Sequence, residues 1–132
     1  MAGRALELFD AINAERAAAG LPALAADGCL AHLARLRADD MAAQGYFAHE
    51  SPDGVSFASL LGDYAVPFYI AAENLARNNA PDADSVALAI DSLMASAPHR
   101  ASILSVEMTL LGVAAASDGA GMTYYAMLFV GR

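Results

Sequence analysis

Between residues 5 and 19 the apolar positions fall at Leu6, Phe9 and Ile12 and again at Leu8 and Ile12, with charged residues between them. That spacing is the period of an amphipathic helix. Gly20 stops the pattern and "GLPAL" leads out, glycine then proline being the usual helix exit. Asp27 is placed to cap a second helix running to about Gln44, with Leu30, Leu33, Ala34 and Met41 turned inward. Gly45 stands where a C-terminal glycine belongs. "HESPDG" reads as loop and "SFASLLGDY" as a short helical segment ending at Gly62. In "NAPDADSVALAIDSLMAS", Val86, Ala89, Ile90 and Leu93 form one stripe, Asp82 or Asp84 can cap the helix, and Pro98 ends it. The period then changes. "TLLGVAAAS" and "MTYYAMLFV" are strand-like runs joined by "DGAG", a glycine-containing hairpin loop. Alternation in the second run expects one of Tyr124 and Tyr125 in the core and the other at the surface. The expected fold class is α+β, with helices covering a small antiparallel sheet of three or four strands.

Composition adds limits. A chain of 132 residues is expected to be one domain, residues 1–132, with one real core. Hydrophobic residues make up 58%, but alanine supplies much of that and no run approaches the roughly 20 residues of a membrane helix. No membrane span is therefore expected. The start of the chain has charges among its apolar residues, unlike a signal peptide, so an export signal is expected upstream of Met1 and cut away. Net charge is −8 and every basic residue is arginine, with no patch of them, which argues against nucleic acid as a partner. A single cysteine, Cys29, excludes an internal disulfide; in a helix start it is expected as a buried small hydrophobe.

Candidate chemistry is concentrated in His49, Glu73 and His99. Two neutral imidazoles and a carboxylate suit Zn²⁺ or another divalent metal with one position left for water, whose pKa the metal lowers towards about 7. The three residues lie on separate segments, so their spacing alone diagnoses nothing. Singly, His49 would be a loop histidine bonded to its own backbone, and His99 a cap on the "HRASIL" turn. Glu73 would pair with Arg77 or Arg100. His32 reads as a helix residue and Glu50 as a rim charge. Ser51 and Ser96 stand near histidines, but no Gly-x-Ser-x-Gly elbow accompanies them. Tyr46 and Phe47 suit either a cleft wall or the core, and Asn74 suits hydrogen bonds that hold its segment.

The motifs together resemble a known family. "NAERAAAGLPAL" is similar to its Asn-x-x-Arg…Gly-Leu opening, "DDMAAQGYFAHESPDG" to its first histidine segment, and "AENLA" to its Glu-Asn segment. "MASAPHRASIL" resembles the bacterial Ser-x-x-His-Arg-x-Asn-Ile-Leu segment, and "LLGVAAAS…TYYAMLF" the closing strands. The resemblance is to the CAP superfamily of cysteine-rich secretory proteins, antigen 5 and plant pathogenesis-related proteins. Within it, the chain resembles the disulfide-free bacterial branch, the SCP-like extracellular proteins. It covers nearly the whole chain.

The resemblance implies a three-layer α-β-α sandwich with a cleft where two histidines and one or two acidic residues converge. By motif these are His49, His99 and Glu73. The family's tryptophan and second glutamate before the last histidine are replaced here by Leu93 and Ser96, and its asparagine by Ser102. The implied function is an extracellular or periplasmic binding module whose His49–Glu73–His99 cleft holds a divalent metal, zinc among them, and a small-molecule or cell-envelope ligand. The alternatives are a metal-dependent hydrolase using the same residues catalytically and, third, a lipid or sterol carrier. The carrier would need an apolar groove of ~300 Å³ or more, for which the short loops leave little chain.

Overall fold

The computed structural model describes residues 3–132; Met1, where the export signal was expected to have been removed, lies outside them. Helix α1 spans Gly3–Ala18, strand β1 Ala25–Ala26, α2 Gly28–Gln44, α3 Phe57–Asp63, β2 Ile70–Asn78, α4 Asp82–Ala95, α5 Ala97–Ile103, β3 Leu110–Ser117 and β4 Thr123–Gly131.

The local signals explain most of these boundaries. Asp27 accepts a hydrogen bond from Leu30 N–H (2.9 Å) at the start of α2, and Gly45 closes that helix with φ +69°, a conformation glycine reaches without a Cβ clash. Ser56 and Ser59 form a reciprocal capping box on α3. The hairpin between β3 and β4 turns on Asp118, whose side chain accepts from Ala120 and Met122 N–H.

The strands form one sheet in the order β1-β3-β4-β2. β4 lies in the middle, antiparallel to β3 and to β2, with Glu73 opposite Leu128 and Val113 opposite Met127. The two-residue β1 adds a short parallel pairing beside β3. Each face carries a core. Tyr125, Met127 and Phe129 pack with Leu8, Ile12, Leu93 and Ile103 of α1, α4 and α5. Ala126, Leu128 and Val130 pack with Leu30, Leu33, Met41 and Leu60 of α2 and α3. The result is an α+β, three-layer α-β-α sandwich.

Several expectations change. β2, in the alanine-rich "AAENLARN" stretch, had no assigned element; nine register pairs with β4 define it as an edge strand. Pro98 does not stop α4, which ends where Ser96 turns extended (φ −102°, ψ +119°). It instead stands in the first turn of α5, where a missing N–H leaves no bond unmade. Neither Asp82 nor Asp84 caps α4: Pro81 holds that position, and both acids lie in the first turn near the helix dipole's positive end. Cys29 is exposed rather than buried. Tyr124 and Tyr125 are both buried, because a central strand of a three-layer fold is covered on both faces.

The family's opening motif proves to be a latch. Asn13 accepts from Leu24 N–H (2.8 Å) and donates to its carbonyl (3.1 Å). Arg16, buried without a carboxylate, donates to the carbonyls of Pro22 (2.9 Å), Ile103 (2.9 Å) and Ser105 (2.7 Å). Burial lowers its pKa from the ordinary arginine value, and the carbonyl dipoles take the place of lost hydration.

The helix α2 rests directly on β3 at Gly112, where a β-carbon would overlap the backbone of Leu30 and Ala31. Backbone cannot rotate away as a side chain can. Gly112→Ala is therefore expected to destabilise by about 1–3 kcal/mol or more, lowering the thermal midpoint by roughly 5 °C or more in a calorimetric scan. A midpoint equal to wild type would show that α2 can lift from the sheet freely.

Candidate functional site

β2 alternates its side chains between the layers. Leu75 packs in the core under α2 and Ala76 in the core under α4, so Glu73 faces α2 and its neighbour Asn74 faces α5. The two candidate histidines are attached to these neighbours, one on each side of the edge strand.

On the α2 side, the Glu73 side chain is 4% exposed and lies against that of Arg37, which is 1% exposed. Arg37 Nε donates to Glu73 Oε2 (2.8 Å) and Nη2 to Oε1 (3.2 Å), a forked pairing. The remaining donors are also used: Nη1 reaches Tyr46 Oη (2.9 Å) and Nη2 the Ala48 carbonyl (2.6 Å). Tyr46 in turn donates to Asp40 Oδ2 (2.6 Å). Burial alone would lower the pKa of Arg37, but the hydrogen bond and charge of Glu73 outweigh it and raise the value above the ordinary one. Tyr46 is pushed up to about 12, first by burial and then by its bond to Asp40, against the opposing charge of Arg37.

This cluster carries His49. Its Nδ1 lies 2.8 Å from Glu73 Oε1. A carboxylate only accepts, so Nδ1 is the protonated nitrogen and Nε2 is directed away from Glu73. The imidazole is 66% exposed while the acid behind it is buried. On the other side, His99 Nδ1 is 2.8 Å from Ser96 Oγ, and its carbonyl accepts from Asn74 Nδ2 (3.0 Å). Asn74 thus ties the His99 segment to β2. Next to His99 a groove of about 300 Å³ opens between β2 and α4, built from a strand and a helix rather than from loops.

Glu73 and His49 are therefore in contact, and His99 is held separately through the next residue of β2. Glu73 pairs with Arg37, not with Arg77 or Arg100. Its carboxylate is already engaged by Arg37 and His49, and among the described residues no three His, Cys, Asp or Glu side chains gather as a metal site. Glu73 therefore does not fit as a third ligand beside the two imidazoles. Ser51 is used inside its loop, its Oγ accepting from Val55 N–H (2.9 Å). Glu50 is exposed, and His32 lies in contact with Tyr64 at ring centroids 5.6 Å apart.

Arg37 escaped sequence reading, yet a signal was present. It stands on the same helical stripe as Leu30, Leu33, Ala34 and Met41, and a charge on a buried stripe requires a buried partner.

The comparisons with known proteins agree with this architecture. An uncharacterised Bacillus subtilis protein, YkwD, is 29% identical over 126 residues, covering 96% of this chain and 46% of its own length. An extracellular SCP-domain protein from Bacillus anthracis superposes with a TM-score of 0.82 at 28% identity over 98% of this chain and 40% of that one. This chain thus spans less than half the length of either. An outer surface protein from Borrelia burgdorferi shares the fold with a TM-score of 0.84 at 17% identity, covering 98% of this chain and 92% of its own. Residues 9–129 match the cysteine-rich secretory protein family, CAP, and with motifs, sheet and bacterial relatives in accord, the chain belongs to the CAP family in its bacterial form.

Proposed function

We propose that the chain is a CAP domain over residues 1–132 that works outside the cytoplasm as a binding module. Its cleft crosses the edge of β2, with His49 and His99 presenting imidazoles and Glu73 positioning His49 from below. The observation that carries this reading is the buried Arg37–Glu73 pair. A carboxylate held by a guanidinium at 2.8 Å and turned onto an exposed histidine fixes that ring's tautomer and orientation. The same contacts favour positioning over a general base, which needs an oxygen free to take a proton from bound water. The hydrolase reading is thereby the weaker one.

Location outside the cell is supported by the extracellular and outer-surface relatives. Among the described residues no helix is long and apolar enough to cross a membrane. The ligand class is a small molecule or a cell-envelope component. A more distant neighbour, NaASP2, has a structure with Zn²⁺; at 14% identity and a TM-score of 0.69 it shares the fold. In this chain the reading assigns a divalent ion to the imidazoles of His49 and His99, with Glu73 acting through His49.

Two measurements test the proposal. In calorimetric titration at neutral pH, Zn²⁺ is expected to bind weakly, to be removed by chelator and to be lost in His49→Ala and in His99→Ala. Glu73→Gln, checked for folding by circular dichroism, should weaken it by about 10–100-fold through loss of the positioning bond. Zinc binding undiminished in the double histidine variant would overturn the assignment.

The second concerns the scaffold. Folding raises the pKa of Tyr46 above the unfolded tyrosine value of about 10. Its contribution to stability is therefore complete below pH 10 and is lost as pH rises towards 12. Tyrosinate absorbance should include a component near pH 12 that disappears in Tyr46→Phe, and that variant should show a smaller loss of stability across this window.

A further inference from the structure

Of the seven arginines in the chain, six donate hydrogen bonds to protein oxygen. Arg4 reaches Asp82 and Thr123, and Arg16 three carbonyls. Arg35 reaches Asp39 and the Ala115 carbonyl, Arg37 pairs with Glu73, Arg100 reaches the Met94 carbonyl, and Arg132 reaches Pro67 and Asp27. Arg77 is the exception. Among the described residues it has neither an ion pair nor a hydrogen bond, and its guanidinium carbon lies 4.7 Å from the centroid of the Phe47 ring. Stacking holds the planar cation in place while leaving its in-plane donors unused.

The position of this cation is informative. Arg77 stands at the rim of the groove of about 300 Å³ beside His99, whose walls include Phe47, Leu75, Leu88 and Leu93. Consecutive β2 residues, Leu75 to Asn78, line the same space. Their side chains alternate between faces, so the groove must pass across the strand's edge. No carboxylate lines it, although the chain carries fifteen acids and a net charge of −8. Ser96, where the resemblance places a glutamate, helps keep that wall uncharged. The fixed charge in the groove lining is thus the cation of Arg77.

We propose that this groove binds a small apolar monocarboxylate, its carboxylate on the guanidinium of Arg77 and its carbon skeleton against Phe47, Leu88 and Leu93. A carboxylate matches the guanidinium fork with two parallel hydrogen bonds. One cation and apolar walls suit one negative charge on an apolar body, not a dianionic phosphate. The volume stands at the low end of the roughly 300–1,000 Å³ of small-molecule sites, which selects a medium chain or a single apolar residue over a sterol. The inference rests on the cleft reading above and names its ligand class. A free fatty acid and the C-terminus of a short peptide share this chemistry.

The test is a ¹⁵N-resolved NMR titration of the whole chain at pH 7 with sodium octanoate and, separately, N-acetyl-leucine. At least one should bind saturably, at roughly millimolar concentration or below, shifting the Arg77 Nε–H and the amides of β2 and α4. The tighter of the two identifies the source. Arg77→Gln, which keeps a polar group at an exposed position, should weaken binding by about tenfold or more, and octanamide should bind more weakly than octanoate by a similar factor. Ser96→Glu should weaken it too. The proposal is overturned when neither carboxylate saturates by about 10 mM, when Arg77→Gln binds as well as wild type, or when octanamide or inorganic phosphate binds as tightly as octanoate. Zinc titration of the histidine variants is read independently of Arg77. Failure with both carboxylates removes this inference and leaves the cleft reading standing.

Discussion

The buried ion pair between Arg37 and Glu73 is the contact on which the cleft depends. It joins α2 to the edge strand β2, and through Tyr46 and the Ala48 carbonyl it also fixes the segment that delivers His49. Two charges taken out of water are costly to bury, and the attraction between them offsets this only where geometry is good and spare donors are satisfied. Here the fork is paired and the remaining donors end on a phenol and a carbonyl. Removing either partner leaves an uncompensated buried charge, with a typical cost of about 3–5 kcal/mol. An apolar pair of the same volume could hold the layers together but could not orient an imidazole.

The sheet order explains why the candidate residues gather at this edge. β4 is sealed on both faces and β3 is flanked by β1, so the long open edge belongs to β2. Consecutive residues there point into different layers. Glu73 serves the layer with His49, Asn74 the layer with His99, and Arg77 returns to the first. One short strand can thus address both histidine segments. Asn13 and Arg16 tie α1 to the chain that follows it and to the end of α5, the helix that carries His99.

Much of this was legible in the sequence because local rules decided it. Asp27, Gly45 and the Asp118 turn act within a few residues of themselves, and the helical stripes of α2 and α4 are periodic. What escaped was decided by distant partners. "AAENLARN" has too little alternation to announce a strand, and becomes one because β4 supplies a ladder along its full length. Tyr124 and Tyr125 could not both be placed inside without knowing that helices cover both faces. Pro98 is a breaker in one register and a good first-turn residue in another, and the extended backbone at Ser96 decides between them. The family motifs brought His49, Glu73 and His99 to one neighbourhood. They did not show that Glu73 is occupied, because Arg37 lies 36 positions away and carries no motif.

The burial of β4 on every side has a consequence for the order of events in folding. All nine residues from Thr123 to Gly131 are buried, and both hydrophobic cores are built upon them. Yet this strand follows every helix and every other strand in the sequence. During synthesis from the N-terminus, the layers made earlier have no common floor to settle on. Helices α1 and α2 emerge with apolar stripes whose cover, the β3–β4 hairpin and the elements packed on it, is made only at the end of the chain. Folding is thus a late, cooperative step dominated by contacts between distant parts of the chain, which is slow in proportion to the loops it must close. Until then the chain remains threadable, with its interior exposed.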